Sequence, residues 1–183
     1  MSRIGKQTII IPEKVTVSLE TERVLVRGPK GELARAWPRA LILTVAPGAA
    51  KVSLKNDSQA EELKAIWGTY AAHLKNMIKG VTTGFEKRLL IEGIGYKAAA
   101  TAEAVTLNVG FSHPVIWPIP EGLKVTLDKN LLTISGADCE SVGQFAAILR
   151  AVRPPDPYKE KGLRYDDERV IRKQGKKAAT TAG

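Results

Sequence analysis

Cysteine, histidine and aromatic residues are all scarce in this chain of 183 residues. The single cysteine, Cys139, rules out a disulfide framework within the chain and fits a reducing compartment. With one cysteine and two histidines, His73 and His113, a cysteine-rich zinc site cannot be assembled, so no metal and no cofactor is expected. His73 stands three residues after Tyr70, close to the apolar stripe of a predicted helix, where a packed histidine is ordinary. Ser112 and His113 are neighbours, and adjacent side chains in an extended segment point apart, which argues against a catalytic pair. Aromatic content is 5%, so the core must be built from Val, Ile, Leu and Ala. No apolar run approaches the length of a membrane span, and "MSRIGKQTII" lacks a signal-peptide core. A cytosolic protein without a membrane partner is expected.

Catalytic motifs are lacking too. "GPKG" at 28–31 and "GIGY" at 93–96 extend neither to a dinucleotide fingerprint nor to a phosphate loop ending in Gly-Lys-Ser/Thr, and read as turns. Asp166, Asp167 and Glu168 lie side by side along a basic segment, whereas paired acid and base carboxylates must face each other across a cleft. They are expected to pair with Arg164, Arg169 or Lys173 and to hold the segment's shape or limit indiscriminate binding. No enzyme is expected.

Positive charge is present in excess. The net charge is +9, and it is uneven: +6 over residues 1–82, −2 over 83–149 and +5 over 150–183. Basic flanks around a near-neutral middle favour a polyanionic partner, nucleic acid first.

The chain also repeats itself. "IPEKVTVSLETERVLVRG" from Ile11 and "IPEGLKVTLDKNLLTISG" from Ile119 align without gaps. Apolar residues alternate at 15, 17, 19 and 24, 26, then at 123, 125, 127 and 132, 134, so each copy predicts a β-hairpin. Gly28 and Gly136 close the second strands, where a positive φ is expected. A helix follows each copy. The first is expected from Ser58 to about Lys79, with Ser58 and Glu61 as a capping box, a stripe of Leu63, Ile66, Trp67, Tyr70, Leu74, Met77 and Ile78, and Gly80 as its stop. The second is expected from Ser141 to Val152, with Ser141 and Gln144 as its box and Pro154 and Pro155 forbidding continuation. These parts predict an α+β fold of two tandem duplicated domains, each a mainly antiparallel sheet covered by one helix. The expected domains are 1–81 and 82–153, followed by a basic extension, 154–183.

The extension, "PPDPYKEKGLRYDDERVIRKQGKK" over 154–177, has little aliphatic content. Extended, it spans roughly 80 Å at about 3.3 Å per residue. It is expected to contribute to neither core, so a chain ended after Val152 is expected to fold. Tyr158 and Tyr165 stand among its basic residues, suited to stacking on bases or bonding phosphates. Composition alone leaves a solvated tail and an RNA-binding arm equally open.

"RPPDPYKEKGLRYDDERVIRKQGKK" closely resembles the C-terminal signature of the bacterial large-subunit ribosomal protein six family. "MSRIGK" with "IIIPEKV", "VRGPKGEL", "MIKGVTTGFEKRLLIEGIGYKA" and "LNVGFSHPV" resemble further motifs of that family, in its order. One residue departs: the family usually reads Tyr-Lys-Gly-Lys-Gly, and here Glu160 replaces the first glycine, which counts against close approach of residue 160 to a phosphate. The resemblance implies a structural protein of the large subunit that binds 23S rRNA near the sarcin–ricin region, beside the site of translational GTPases. It also implies ribosomal-protein neighbours at the stalk base. No homo-oligomer is expected. The rRNA-binding residues expected are Arg153, Tyr158, Lys159, Lys161, Arg164, Arg172, Lys173, Lys176 and Lys177. Tyr96, Lys97, Phe111, Ser112 and His113 are added by the resemblance, with Arg3 and Lys6 in the N-terminal arm. The alternative is a stand-alone RNA-binding or RNA-chaperone module.

Overall fold

The structure, a computed structural model, describes residues 5, 7–46, 48–54 and 61–175, without the side chains of residues 54 and 61–64. The chain divides into two compact units, Met1–Phe85 with Gly136–Cys139, and Glu86–Ser135 with Glu140–Gly183. Among the described residues, no helix is long and apolar enough to cross a membrane.

In the first unit, β1 (Ile9–Ile10), β5 (Leu41–Ala46) and β6 (Ala49–Leu54) form one antiparallel sheet in the order β1-β6-β5. The strands β2 (Thr16–Glu20), β3 (Arg23–Gly28) and β4 (Gly31–Ala36) form a second, in chain order. The helix α1 (Glu61–Thr82) packs on β3, β4 and β6. The alternation expected for the first repeat appears as Val17, Val24 and Val26 in the core, while Leu19 near the strand end is exposed. Ala71, Leu74, Met77, Ile78 and Val81 supply the helix side of that core, with Trp67 and Tyr70 partly buried against it. Ile66, expected on the stripe, is exposed. The expected capping residue Ser58 and the side chains of Glu61 and Leu63 lie outside the described residues.

The glycines act differently from expectation. α1 runs through Gly80 to Thr82, so Gly80 is not its stop. A Cβ at Gly80 would stand 1.9 Å from the Ala137 carbonyl oxygen, so the helix needs glycine for close approach. The turn out of the helix falls at Gly84, with φ +78, whose N–H and that of Thr83 both donate to the Lys79 carbonyl. Gly28 and Gly136 do not have positive φ. At Gly28 a Cβ would meet Val81 Cγ2 at 2.6 Å.

In the second unit, β7 (Phe85–Glu92), β8 (Lys97–Ala100), β9 (Ala104–Asn108), β10 (Val115–Pro118), β11 (Leu123–Asp128), β12 (Leu131–Gly136) and β13 (Gly162–Tyr165) make two sheets. Their orders are β10-β9-β8 and β11-β12-β7-β13. The second hairpin, β11 and β12, buries Leu132 and Ile134 completely, at the positions that repeat Val24 and Val26. The helix α2 (Cys139–Val152) buries Val142, Phe145, Ala146 and Leu149. It begins before Ser141: Asp138 occupies the N-cap position, a placement that aspartate favours, and Ser141 lies inside the first turn. "GPKG" and "GIGY" both form turns, the second closed by the Tyr96 N–H on the Gly93 carbonyl at 3.2 Å.

The expectation that the chain beyond residue 153 joins no core is corrected. After α2 the chain doubles back, and β13 pairs antiparallel with β7, Leu163 opposite Ile91 and Tyr165 opposite Leu89. Leu163 is fully buried and its N–H donates to the Arg153 carbonyl at 2.8 Å. Gly162, at φ +149, sits so close to the diproline that a Cβ would stand 2.6 Å from Pro155 Cα. A chain ended after Val152 therefore loses a strand and a core leucine.

Leu163→Ala is expected to destabilise the protein by about 2–4 kcal/mol, as for other buried leucines. Ile171→Ala, at an 83% exposed position, is expected to cost under about 0.5 kcal/mol. Urea unfolding of the two variants reads the difference; equal midpoints would remove β13 from the core. Gly80→Ala should lower the thermal midpoint sharply, because the obstacle is a backbone oxygen.

Candidate nucleic-acid interface

Two parts of the second unit carry the expected site residues. The first is the rim where the 93–96 and 109–113 loops meet the end of α2. Gly110, with φ +84, starts the turn that exposes Phe111, Ser112 and His113. The rings of Phe111 and His113 stack at 6.4 Å, and the Arg153 guanidinium lies 5.6 Å from the Phe111 ring centre. Ser112 Oγ and His113 Nδ1 are 3.5 Å apart, at the limit of a hydrogen bond, and among the described residues no third group hydrogen-bonds the His113 ring. The Tyr96 ring lies over Gly93 and within reach of Gly110, joining the two loops. Lys97 is exposed at the start of β8, opposite Asn108. Arg153, Phe111, His113 and Tyr96 are thus brought together, with a cation over the exposed Phe111 ring and His113 stacked beside it.

The second part is the segment from Asp156 to Lys173. It is a folded loop and strand rather than an extended chain. The Asp156 N–H donates to the Lys161 carbonyl at 2.9 Å, the Glu160 N–H to the Asp156 carbonyl at 2.8 Å, and the Tyr158 N–H to Asp156 Oδ1 at 3.1 Å. This turn places Glu160 at φ +58, a left-handed backbone that favours glycine. A backbone requirement therefore accounts for a glycine at this position, whatever its distance from a phosphate. Further on, the Lys173 N–H donates to the Pro157 carbonyl at 3.0 Å, which ties the later residues back to the turn.

The acidic residues pair otherwise than expected. Glu168 takes the Arg150 guanidinium of α2 through both carboxylate oxygens, the Nε contact being 2.7 Å. Glu168 also accepts the Tyr165 N–H at 3.2 Å. Arg164 bonds Glu92 of β7 at 2.9 Å and, through its other terminal nitrogen, the Glu168 carbonyl at 3.1 Å. Its Nε is enclosed without an acceptor among the described residues. Asp166 and Asp167 are exposed. Arg150 and Lys87 both lie against the Tyr165 ring, at 5.7 and 5.6 Å, so this tyrosine is engaged internally while Tyr158 is 53% exposed.

Hydrogen bonding to Arg150 holds the Glu168 carboxyl below the usual carboxylate range, and the same bond raises Arg150. The Glu92 hydrogen bond likewise raises Arg164. Arg164 is thus a positioned structural cation more than a free contact. Arg172 reaches Glu160 only at 3.8 Å. Among the described residues, Lys159, Lys161, Arg169 and Lys173 carry no ion pair, and all but Lys161 are exposed. Arg169 was expected as a partner of the acidic cluster; its place in an unpaired, exposed stretch could not be read from proximity in the chain. Arg3, Lys6, Lys176 and Lys177 lie outside the described residues. No group of three or more metal-ligating side chains occurs among the described residues.

The profile of the family described as ribosomal protein L6 matches residues 11–84 and 92–166. The chain is 46% identical to the large ribosomal subunit protein uL6 of Desulforapulum autotrophicum over 98% of its length and 99% of that protein. It is 49% identical to that of Gloeothece citriformis, covering 96% and 98%, and 48% identical to that of Lactobacillus gasseri, also covering 96% and 98%.

Because folding lowers the pKa of Glu168, the stability it contributes is full above the unfolded carboxylate value and disappears as pH falls through the folded one. Glu168→Gln is expected to cost about 1–3 kcal/mol at pH 7, and the gap from wild type should narrow from about pH 5 downward. Chemical unfolding at a series of pH values checks this; a gap independent of pH would show that the carboxylate's charge is not what holds the segment.

Proposed function

The chain belongs to the ribosomal protein L6 family, a structural and non-enzymatic constituent of the large ribosomal subunit, and from that premise we propose that its second unit binds folded large-subunit rRNA through the face described above. The supporting observation is the division of charge along residues 150–173. Arg150 and Arg164 are consumed in holding the segment against α2 and β7. Lys159, Arg169 and Lys173 remain exposed without ion pairs among the described residues. A folded segment that retains unpaired cations offers phosphate contacts in fixed positions. Arg153 over Phe111, with His113 stacked on that ring and Tyr158 exposed nearby in sequence, adds planar groups on which unstacked bases can pack.

The finer location is carried by the C-terminal motif's resemblance to the family signature. On that basis the bound rRNA is the sarcin–ricin region, next to the translational GTPase site and to ribosomal-protein neighbours at the stalk base. The proposed rRNA-binding set keeps Arg153, Tyr158, Lys159, Lys161, Arg172, Lys173, Tyr96, Lys97, Phe111, Ser112 and His113 and adds Arg169. Arg164 acts as the anchor that positions them. Arg3, Lys6, Lys176 and Lys177 stay in the set on sequence grounds.

Since truncation after Val152 would remove part of the core, the test must be by charge. Replacing Lys159, Arg169 and Lys173 together by Gln is expected to leave the unfolding midpoint nearly unchanged. It should weaken binding to a large-subunit rRNA fragment at least tenfold and flatten the salt dependence, by about 0.9 in log–log slope for each duplex phosphate no longer neutralised. Unaltered affinity and slope would sink the assignment of this segment. Chemical footprinting of the fragment locates the binding face on the RNA; protection that avoids the sarcin–ricin region would overturn the location alone.

A further inference from the structure

Beside the strand β13, an open groove of about 940 Å³ is lined by Glu160, Arg164, Arg169, Val170, Ile171 and Arg172. Three arginines thus face one carboxylate. Arg164 is fixed at its base by Glu92 and the Glu168 carbonyl, so it supplies charge in a constant position. Arg169 has no ion pair among the described residues. Arg172 has one partner, Glu160, at 3.8 Å, with both side chains largely exposed. A pair that long and that wet contributes little. Yet the chain holds Glu160 in a left-handed backbone, at φ +58, in the turn closed by Asp156. A strained residue that makes only a weak contact suggests a state in which that contact is exchanged.

We propose that this groove is a phosphate site whose counter-charge in the free protein is the Glu160 carboxylate, displaced from Arg172 when a backbone phosphate of nucleic acid enters. The proposal rests on the rRNA-binding reading above and adds a site and a residue that tunes it. A phosphate takes two planar guanidiniums, those of Arg169 and Arg172, through short charge-assisted bonds, which a carboxylate at 3.8 Å cannot match. Arg164 adds long-range attraction without moving, and its charge is already influenced by Glu160. Val170 and Ile171 add apolar surface to the lining of the groove, Ile171 remaining exposed. Glu160 then acts as an internal competitor: it lowers affinity for isolated phosphate groups and leaves binding dependent on the contacts that flank the groove. This is a specificity device of the repulsive kind.

The test uses the full chain with inorganic pyrophosphate and, separately, an rRNA fragment. The Nε–H NMR signals of Arg169 and Arg172 report pyrophosphate directly. Glu160→Gln, which keeps the side-chain length and the backbone requirement, should bind pyrophosphate about two- to fivefold more tightly than wild type, within the worth of a surface pair. Glu160→Gly should do the same, and Arg169→Gln with Arg172→Gln should abolish the effect. Equal affinity in wild type and Glu160→Gln overturns the proposal. A gain in Glu160→Gly alone also overturns it, because backbone relief would then be the cause. With the rRNA fragment, Glu160→Gln should bind more tightly with a steeper salt slope. If pyrophosphate competes with Glu160 but wild type has no affinity for the fragment, the groove is a site for free phosphate compounds and the rRNA-binding reading fails. If the fragment binds and Glu160→Gln changes neither measurement, that reading stands and the groove proposal fails.

Discussion

Glu168 accepts the Arg150 guanidinium through two oxygens, and the arrangement of the C-terminal segment depends on that pair. The two side chains retain 31% and 24% of their exposure. At that depth a bidentate pair gains from reduced screening without the full desolvation cost of a buried one. The same carboxylate receives the Tyr165 N–H, and the same residue's carbonyl receives Arg164, which bonds Glu92 on β7. One residue thereby ties the end of α2, the strand β13 and the strand β7 together. Leu163 is buried as part of the same arrangement, and its burial supplies the apolar term the polar pairs lack.

This arrangement sorts a set of cations that composition treats as equivalent. The cations nearest α2 and β7 are engaged in structure, whereas Lys159 on the outer turn and Arg169 and Lys173 beyond β13 carry no ion pair among the described residues. The acids sort likewise. Glu168 is structural, Glu160 stands in a groove of arginines, and Asp166 and Asp167 face solvent. Treating the three consecutive acids 166–168 as one group therefore mixes a residue that holds the fold with two that modulate its surface field.

Much of the fold was legible because its signals are periodic. The alternation at 15–26 and 123–134 and the 108-residue repeat placed both hairpins, and the buried Val24, Val26, Leu132 and Ile134 repeat each other as aligned. Element ends were less legible. α2 starts at Cys139 because Asp138 precedes Ser141 as a cap, and α1 passes through Gly80 because that glycine answers to Ala137. The second reason lies outside any local window, whereas the first is local: Asp138 and Ser141 both offer a capping side chain, and sequence alone does not choose between them. β13 was invisible for a related reason. Four residues, "GLRY", with one aliphatic side chain give no period, and their partner strand is some seventy residues away in sequence. The charged site residues were recognisable by type, but which of them are paired is a property of the folded segment.

The added strand also bears on how the two copies of the repeat came to differ in use. In the first unit the hairpin sheet has three strands, and in the second the corresponding sheet continues from β12 through β7 to β13. An uncovered β7 would present an edge open to pairing with other chains. Covering it with the start of the basic segment closes that edge on β7 and fixes the segment in one step. Ordering a free chain costs about 1–2 kcal/mol of backbone entropy per residue. For the stretch from Pro154 to Lys173 the total would be on the order of 20 kcal/mol or more if it were met entirely on binding. The turn at Asp156, the β13 ladder, the Glu168 pair and the Lys173 to Pro157 hydrogen bond meet most of that cost during folding. Weak individual phosphate contacts can then add to a useful affinity, because little of their energy is used to order the segment that carries them.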